Sequence, residues 1–201
     1  EGSGAVVFDG RDTTRVAGLP DDVVFAITAE DSSTLWFGTR RGASRWRDGV
    51  WSHFSTATTP GLAGNEVEAI LHDRTGRTWF GTEGGISQFV NETFTAQPGR
   101  GWIHSIFEDD RGGLWFGAED GSIQHLDAGG WSQLAVPVSS RINTISQDPQ
   151  GNFWFGSDDG LWRHDGVRWR RFRDTAGNVL LGLEGMLAAS GQTNSGSIAA
   201  A

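Results

Sequence analysis

Apolar and polar residues alternate along most of this chain in short runs that are separated by turn residues. Runs such as VEAILHD (67–73) and INTISQD (142–148) place apolar side chains at every second position, which is the period of a β-strand. Gly, Asp and Asn cluster between the runs, where tight turns are expected. No segment sustains the 3.6-residue period of an α-helix. The pattern therefore predicts an all-β protein of many short strands.

A tripeptide, Trp-Phe-Gly, recurs four times and marks an internal repeat. Its tryptophans are Trp36, Trp79, Trp115 and Trp154. An alternating run and a polar turn precede each one, and two further short strands follow. Trp and Phe point to opposite faces of a strand, so both faces of the sheet must be covered. Four-stranded sheets stacked radially as the blades of a propeller supply that cover. The glycine is expected to open the turn into the third strand.

The repeats divide the chain into one predicted domain, residues 1–201, a β-propeller of four-stranded antiparallel blades. The full blades are expected at 20–56, 62–96, 101–135 and 140–173. Residues 4–16 align with the last two strands of the fourth repeat, so we expect them to end a fifth blade shared by the two termini. Residues 174–201 either start that blade or form a docking tail. An unclosed ring would leave strand edges for a partner.

The repeats resemble those of the two-component-regulator propeller family, the β-propellers of periplasmic sensors. VEAILHDRTGRTWFGTEGGISQF (67–89) and INTISQDPQGNFWFGSDDGLWRHDGVRWRRF (142–172) carry the resemblance, which extends over residues 20–173. It implies a bacterial protein of the periplasm or cell exterior. It also implies a ligand-binding face built by the loops between second and third strands and between blades. Family members usually have more blades, a membrane span and a histidine kinase, which this sequence does not show.

By that resemblance, the candidate ligand-binding residues lie on one face of the propeller. Those in the loops after the second strands are Arg40, Arg41, Glu83, Glu119, Asp120, Asp158 and Asp159. Those at the start of innermost strands, near the central channel, are Trp102, His104, Arg141 and Asn143. An aromatic ring, a histidine, arginines and carboxylates on one face suit a polar ligand. The competing interpretation is a set of solvated turns.

Aromatic residues outside this face are expected to pack. The Trp-Phe pairs are predicted to form the core between blades, because they recur at one strand position. Trp51, Trp131 and Trp169 fall on the outermost strands, where packing competes with a contact to a protein or glycan.

Charge and composition limit the classes of partner that this chain is expected to bind. The net charge of −9 and pI of about 4.9 argue against nucleic acid and against anionic membrane surfaces. No apolar stretch approaches a membrane span, and no signal segment is visible. The chain has no Cys, its five His fall at different positions of the repeats, and no calcium-loop motif is present. We therefore expect no metal and no cofactor.

These features predict a non-catalytic binding propeller that recognises an extracytoplasmic ligand, a glycan or a peptide, or a protein partner. One alternative is an extrinsic structural subunit of a larger, membrane-bound assembly. A second is a small propeller lyase or hydrolase that depends on His104; no GxSxG motif supports a hydrolase.

Overall fold

The computed structural model describes residues 4–8 and 10–172, and every regular element among them is a β-strand. The strands form four antiparallel sheets of four strands and one hairpin. The hairpin is β1 (Val6–Phe8) and β2 (Thr13–Arg15). Blade 1 is β3 (Val24–Ala29), β4 (Thr34–Thr39), β5 (Gly42–Arg47) and β6 (Val50–Phe54). Blade 2 is β7 (Val67–His72), β8 (Thr78–Thr82), β9 (Gly85–Val90) and β10 (Thr93–Ala96).

The other two blades follow the same order along the chain. Blade 3 is β11 (Ile103–Glu108), β12 (Leu114–Ala118), β13 (Ile123–Asp127) and β14 (Gly130–Leu134). Blade 4 is β15 (Ile142–Gln147), β16 (Phe153–Ser157), β17 (Gly160–His164) and β18 (Trp169–Arg171). The first strands lie side by side in sequence order, β3 beside β7, β7 beside β11 and β11 beside β15. Each blade therefore packs on the next through its innermost strand.

The hairpin β1–β2 is closed by the same backbone hydrogen bond as the last two strands of a blade. Val16 N–H donates to the Ala5 carbonyl at 2.8 Å, as Phe172 N–H donates to the Leu161 carbonyl in blade 4. A two-stranded fifth element thus precedes blade 1, in line with the expected split blade. The segment expected to start or flank that blade, 174–201, lies outside the described residues.

The repeated tryptophan fills the space between one blade and the next. Trp36 is fully buried, and its ring centroid lies 5.0 Å from that of Phe80 in blade 2. Trp79 stands in the same relation to Phe116 of blade 3, at 5.7 Å. The prediction that these aromatic pairs form the core between blades is confirmed there. Trp154, the last of the series, is only partly buried.

The tryptophans of the outer strands cover the phenylalanine of the same repeat. Trp51 lies 5.4 Å from Phe37, and Trp169 lies 5.1 Å from Phe155. Trp131 contacts Phe116 in the same way, at 5.3 Å. All three indoles are partly buried. Their described contacts favour the packing interpretation.

The glycine of the repeat serves a different purpose from the one expected. Gly38 lies inside strand β4, and its φ is not in the left-handed region. A Cβ on Gly81 would lie 2.7 Å from Ile103 Cγ2 of the next blade, and one on Gly38 would collide with the Val67 carbonyl oxygen. Glycine is therefore needed because the next blade's first strand approaches the backbone closely, and the expectation of a turn-forming glycine was wrong.

A carboxylate holds the turn between the first two strands and also binds the repeated indole. Asp73 Oδ1 accepts hydrogen bonds from the backbone N–H groups of Thr75 and Arg77, while Oδ2 accepts one from Trp79 Nε1 at 2.8 Å. Asp109 and Asp148 do the same in blades 3 and 4. We call this edge of the blades the carboxylate end. The aspartate, its turn hydrogen bonds and its bond to the indole recur almost unchanged in blades 2 to 4.

Candidate ligand-binding site

The opposite edge of each blade is closed by one recurring backbone hydrogen bond. The first residue after the second strand donates its N–H to the carbonyl of the residue that precedes the first strand. The four pairs are Arg40 to Val23, Glu83 to Glu66, Glu119 to Trp102 and Asp158 to Arg141, at 2.8 to 3.3 Å. The bond brings two groups of predicted residues together, the turn residues and the residues at the start of the innermost strands. We call this edge the variable end, because its side chains differ from blade to blade.

A β-bulge interrupts every first strand at the same position. In blade 2, Val67 pairs with Thr82 and Ala69 pairs with Gly81, which leaves Glu68 as the extra residue. The register shifts at the same place in the other three blades. The residues left over are Phe25, Glu68, His104 and Asn143, which we call the bulge set. Bulges re-aim side chains and are frequent beside functional sites.

Half of the bulge set was missed by the sequence predictions. His104 and Asn143 were named, but Phe25 and Glu68 were not. An alignment of VFAI (24–27) and VEAI (67–70) with the first strands of blades 3 and 4 would have found Phe25 and Glu68. The bulge residue is the second residue of each of these segments. All four side chains are partly buried.

His104 joins two blades through two carboxylates. Its Nδ1 lies 2.7 Å from Glu68 Oε2 of blade 2, within hydrogen-bond distance. Its Nε2 lies 2.6 Å from Glu119 Oε2, but the alignment is not that of a hydrogen bond, so Nε2 has no hydrogen-bond partner. Only 6% of the imidazole is exposed, against 52% of the Glu119 side chain. Bulge residues of neighbouring blades thus meet at the variable end, with one carboxylate reaching solvent.

Trp102 stacks on this histidine. The two ring centroids lie 5.3 Å apart with 26° between their planes. The indole is partly buried, and its Nε1 is buried without a hydrogen-bond partner. A buried N–H without an acceptor is costly, because the lost solvation is not replaced. This indole therefore offers an unpaired donor at the variable end, which also carries the exposed Glu119 carboxylate.

A second polar group lies at the variable end of blade 4. Asn143 Nδ2 donates to Asp158 Oδ1 at 2.8 Å, and Arg141 Nη2 lies 3.5 Å from the same oxygen. The Arg141 Nε has no hydrogen-bond partner. About half of the Asp158 side chain is exposed (49%). The three predicted residues are brought together with donors and an acceptor facing one another.

The two predicted arginines of blade 1 are more exposed and pair only loosely. Arg40 Nε lies 3.8 Å from Glu66 Oε1 of blade 2, and Arg41 Nε lies 3.2 Å from Asp21 Oδ2. Such exposed pairs contribute little to stability, so both guanidinium groups remain accessible to a ligand.

Three predicted carboxylates are held by hydrogen bonds from nearby loops and strands. Glu83 accepts from the N–H groups of Asn65 and Glu66. Hydrogen bonds from Ser122 hold the pKa of Asp120 below its ordinary value. Burial alone would raise the pKa of Asp159, but hydrogen bonds from its neighbours and the charge of Arg171 lower it. Asp159 is also bound by Trp162 of β17 and Arg171 of β18, so these carboxylates tie the loops to each other and to the strands.

Among residues 4–8 and 10–172, no group of three or more His, Asp or Glu side chains is placed to hold a metal ion. The same residues contain no helix of the length and apolar character that crossing a bilayer requires.

The sequence matches the family described as the two component regulator propeller over residues 61–84, 98–120 and 137–159. These segments fall in blades 2, 3 and 4 and include the Trp-Phe-Gly of each. No curated protein matches the sequence.

Solved structures with the same fold include extracellular domains of bacterial signalling proteins. For the one component system BT4673 from B. thetaiotaomicron the TM-score is 0.76 at 19% identity, over 89% of this chain and 27% of that one. The TM-score with the hybrid two component system BT3049 from B. thetaiotaomicron is 0.65 at 22% identity, over 80% of this chain and 23% of that one. Virginiamycin B lyase from Staphylococcus aureus has a TM-score of 0.61 at 18% identity, over 75% of this chain and 55% of that one. The predicted β-propeller fold is confirmed. The chain spans about a quarter of the length of the first two proteins.

Proposed function

We propose that this chain, which belongs to the two component regulator propeller family, is a non-catalytic binding module that recognises an extracytoplasmic ligand at its variable end. The residues that carry the proposal are the bulge set with Trp102, Arg141, Glu119 and Asp158. The extracytoplasmic location rests on the likeness to extracellular sensor domains.

One contrast within the molecule supports this proposal most strongly. At the carboxylate end, blades 2 to 4 carry the same turn, with an aspartate bound to the repeated indole. At the bulge, the four blades carry Phe, Glu, His and Asn in one geometry. Scaffold positions repeat because the packing repeats. Positions that vary on the same scaffold are those free to serve recognition.

The chemistry of these side chains indicates the ligand class. The unpartnered donors Trp102 Nε1 and Arg141 Nε call for hydrogen-bond acceptors. The exposed carboxylates of Glu119 and Asp158 call for donors. The half-buried indole of Trp102 adds a flat apolar surface. A ligand that carries both hydroxyl or amide donors and acceptors, as oligosaccharides and peptides do, satisfies all three.

Replacing Trp102 with alanine is expected to weaken ligand binding at least tenfold, because stacking and the indole donor are lost together. The wild-type protein is applied to an array of neutral oligosaccharides and short peptides, and the compounds it retains are then titrated against both proteins. Gln150→Ala is the matched control, since Gln150 is an exposed residue at the carboxylate end of blade 4.

Three outcomes separate the explanations. Binding that is weakened in Trp102→Ala and unchanged in Gln150→Ala supports the variable end as the ligand site. Equal binding by all three proteins, with unaltered circular dichroism spectra, places recognition elsewhere. Turnover of a retained compound that His104→Ala abolishes would replace this proposal with the enzyme alternative.

A further inference from the structure

Glu119 differs from the other carboxylates of the variable end in having neither a hydrogen-bond donor nor an arginine. Asp158 accepts from Asn143 and faces Arg141, and Glu83 accepts from two backbone N–H groups. Among the described residues, no hydrogen bond reaches either oxygen of Glu119, and no arginine pairs with it. The side chain is 52% exposed. Its carboxylate is therefore open to a donor that a ligand brings.

His104 does not neutralise Glu119, although the two side chains touch. The imidazole is only 6% exposed, and its Nδ1 lies 2.7 Å from the acceptor Glu68 Oε2, so the hydrogen of a neutral ring lies on Nδ1. Nε2 then faces Glu119 Oε2 at 2.6 Å as acceptor against acceptor. In a protonated ring the Nε2–H is misaligned with that oxygen. Because two carboxylates face one imidazole, the group keeps a net negative charge in either state of the histidine.

Trp102 places an aromatic ring beside this negative charge. Its indole stacks on the His104 imidazole, with 5.3 Å between the ring centroids, and its carbonyl accepts from the Glu119 backbone N–H at 2.8 Å. The indole is partly exposed. Indole attracts cations more strongly than the other aromatic side chains do. A cation bound to Glu119 therefore has a second favourable group close by.

We propose that Glu119 makes the variable end selective for ligands that carry a primary ammonium group. This inference rests on the proposed function and narrows its ligand class. An ammonium group has three N–H donors and no acceptor, so it satisfies Glu119 and offsets the negative charge of the group at the same time. A hydroxyl or amide supplies a donor but no charge. Free amines occur in amino sugars and at the N-termini of peptides, and the experiment separates these two sources.

Two pairs of probes, each with a free amine and its acetylated counterpart, test the inference. One pair is a glucosamine tetramer and its N-acetylated form, and the other is trialanine amide and its N-acetylated form. Each probe is titrated calorimetrically into wild type, Glu119→Gln and Asp110→Asn at about pH 6, where the amines are protonated. Glu119→Gln removes the charge at nearly constant shape. Asp110→Asn is the matched control for net charge, since Asp110 is an exposed carboxylate at the carboxylate end of blade 3.

We expect wild type and Asp110→Asn to bind the free amine of one pair at least about fivefold more tightly than its acetylated form, because a carboxylate close to an ammonium supplies that much even in water. In Glu119→Gln this preference should disappear. The pair that shows the preference identifies the source of the amine. Any steric effect of the acetyl group would persist in Glu119→Gln, so the comparison isolates the charge.

Three results would overturn the inference. Equal binding of free and acetylated probes by wild type would do so and would leave the proposed function intact if Trp102→Ala still weakens binding in the array experiment. A preference that survives Glu119→Gln would place amine recognition elsewhere. Failure of all four probes to bind at millimolar concentration would refute amine recognition, whereas failure of the whole array counts against the proposed function.

The stability of Glu119→Gln separates a ligand residue from a structural one. Its Tm should be no lower than that of the wild type, because the substitution removes a contact between two acceptors. A Tm lowered by several degrees would make Glu119 a structural ion-pair partner of His104 and would contradict the assignment.

Discussion

Replacing Asp73 with alanine is expected to lower the free energy of unfolding by about 3 kcal/mol or more. The Asp73 side chain is fully buried and pairs with Arg77 Nε at 2.7 Å. It also accepts hydrogen bonds from Thr75, from the Arg77 backbone and from the buried Trp79 indole. Alanine leaves the buried Trp79 indole N–H without this acceptor, and the desolvation cost of that group adds to the loss of the charge-assisted bonds from Arg77 and Thr75. Urea unfolding followed by tryptophan fluorescence measures the loss.

The pH dependence of this loss identifies its cause. Burial alone would raise the pKa of Asp73, but hydrogen bonds from Thr75, Trp79 and Arg77 outweigh it and hold the pKa below its ordinary value. A carboxylate with a lowered folded pKa stabilises the protein fully above the unfolded pKa of about 3.9. That contribution is lost as the pH falls through the folded pKa. The difference between wild type and Asp73→Ala should therefore shrink below about pH 4. A difference that stays constant down to pH 2 would show that packing, not charge, is responsible.

Replacing Gly38 with alanine is expected to destabilise the protein by about 2 kcal/mol. The new methyl group would collide with the Val67 carbonyl oxygen and lie 3.0 Å from Val67 Cγ1. Because the obstacle is backbone of the next blade, blades 1 and 2 must separate to admit it. Thermal unfolding monitored by circular dichroism gives the shift in Tm.

Gly129→Ala is the matched control for this substitution. Gly129 is exposed, its φ is outside the left-handed region, and a Cβ there would lie 3.1 Å from the exposed Asp127 carboxylate rather than against the backbone of another blade. Its Tm should match that of the wild type. Equal destabilisation by the two substitutions would mean that the approach of the next blade does not explain the repeated glycine.

The sequence predicted those features that recur with the repeat. Trp36 and Phe80 were assigned to the space between blades because an aromatic pair recurs at one strand position, and a strand presents its side chains alternately to its two faces. That assignment succeeded because strand period is a local property of the chain. Glu119 and Asp158 were named on the resemblance to the propeller family, not on strand period.

Contacts between blades could not be predicted by that reasoning. Nothing local links Glu68 to His104, which meet only because the bulges of two blades align. The role of Gly38 was mistaken for the same reason, since the residue that requires it, Val67, belongs to the next blade. In blade 1 the indole of Trp36 is bound by Glu30 rather than by the neighbouring Asp31. The six-residue spacing, shared by Asp73 and Trp79, was the signal for that exchange.

Hydrogen exchange with and without a bound ligand tests the central claim, recognition at the variable end, most directly. The probe is the oligosaccharide or peptide that the array experiment ranks highest, added at saturation. We predict that exchange slows in peptides covering 23–26, 66–69, 102–105 and 141–144, which hold the bulge set, and is unchanged at the turns 73–77 and 148–152. Protection confined to those turns, or to the outer strands that carry Trp51 and Trp169, would contradict the account.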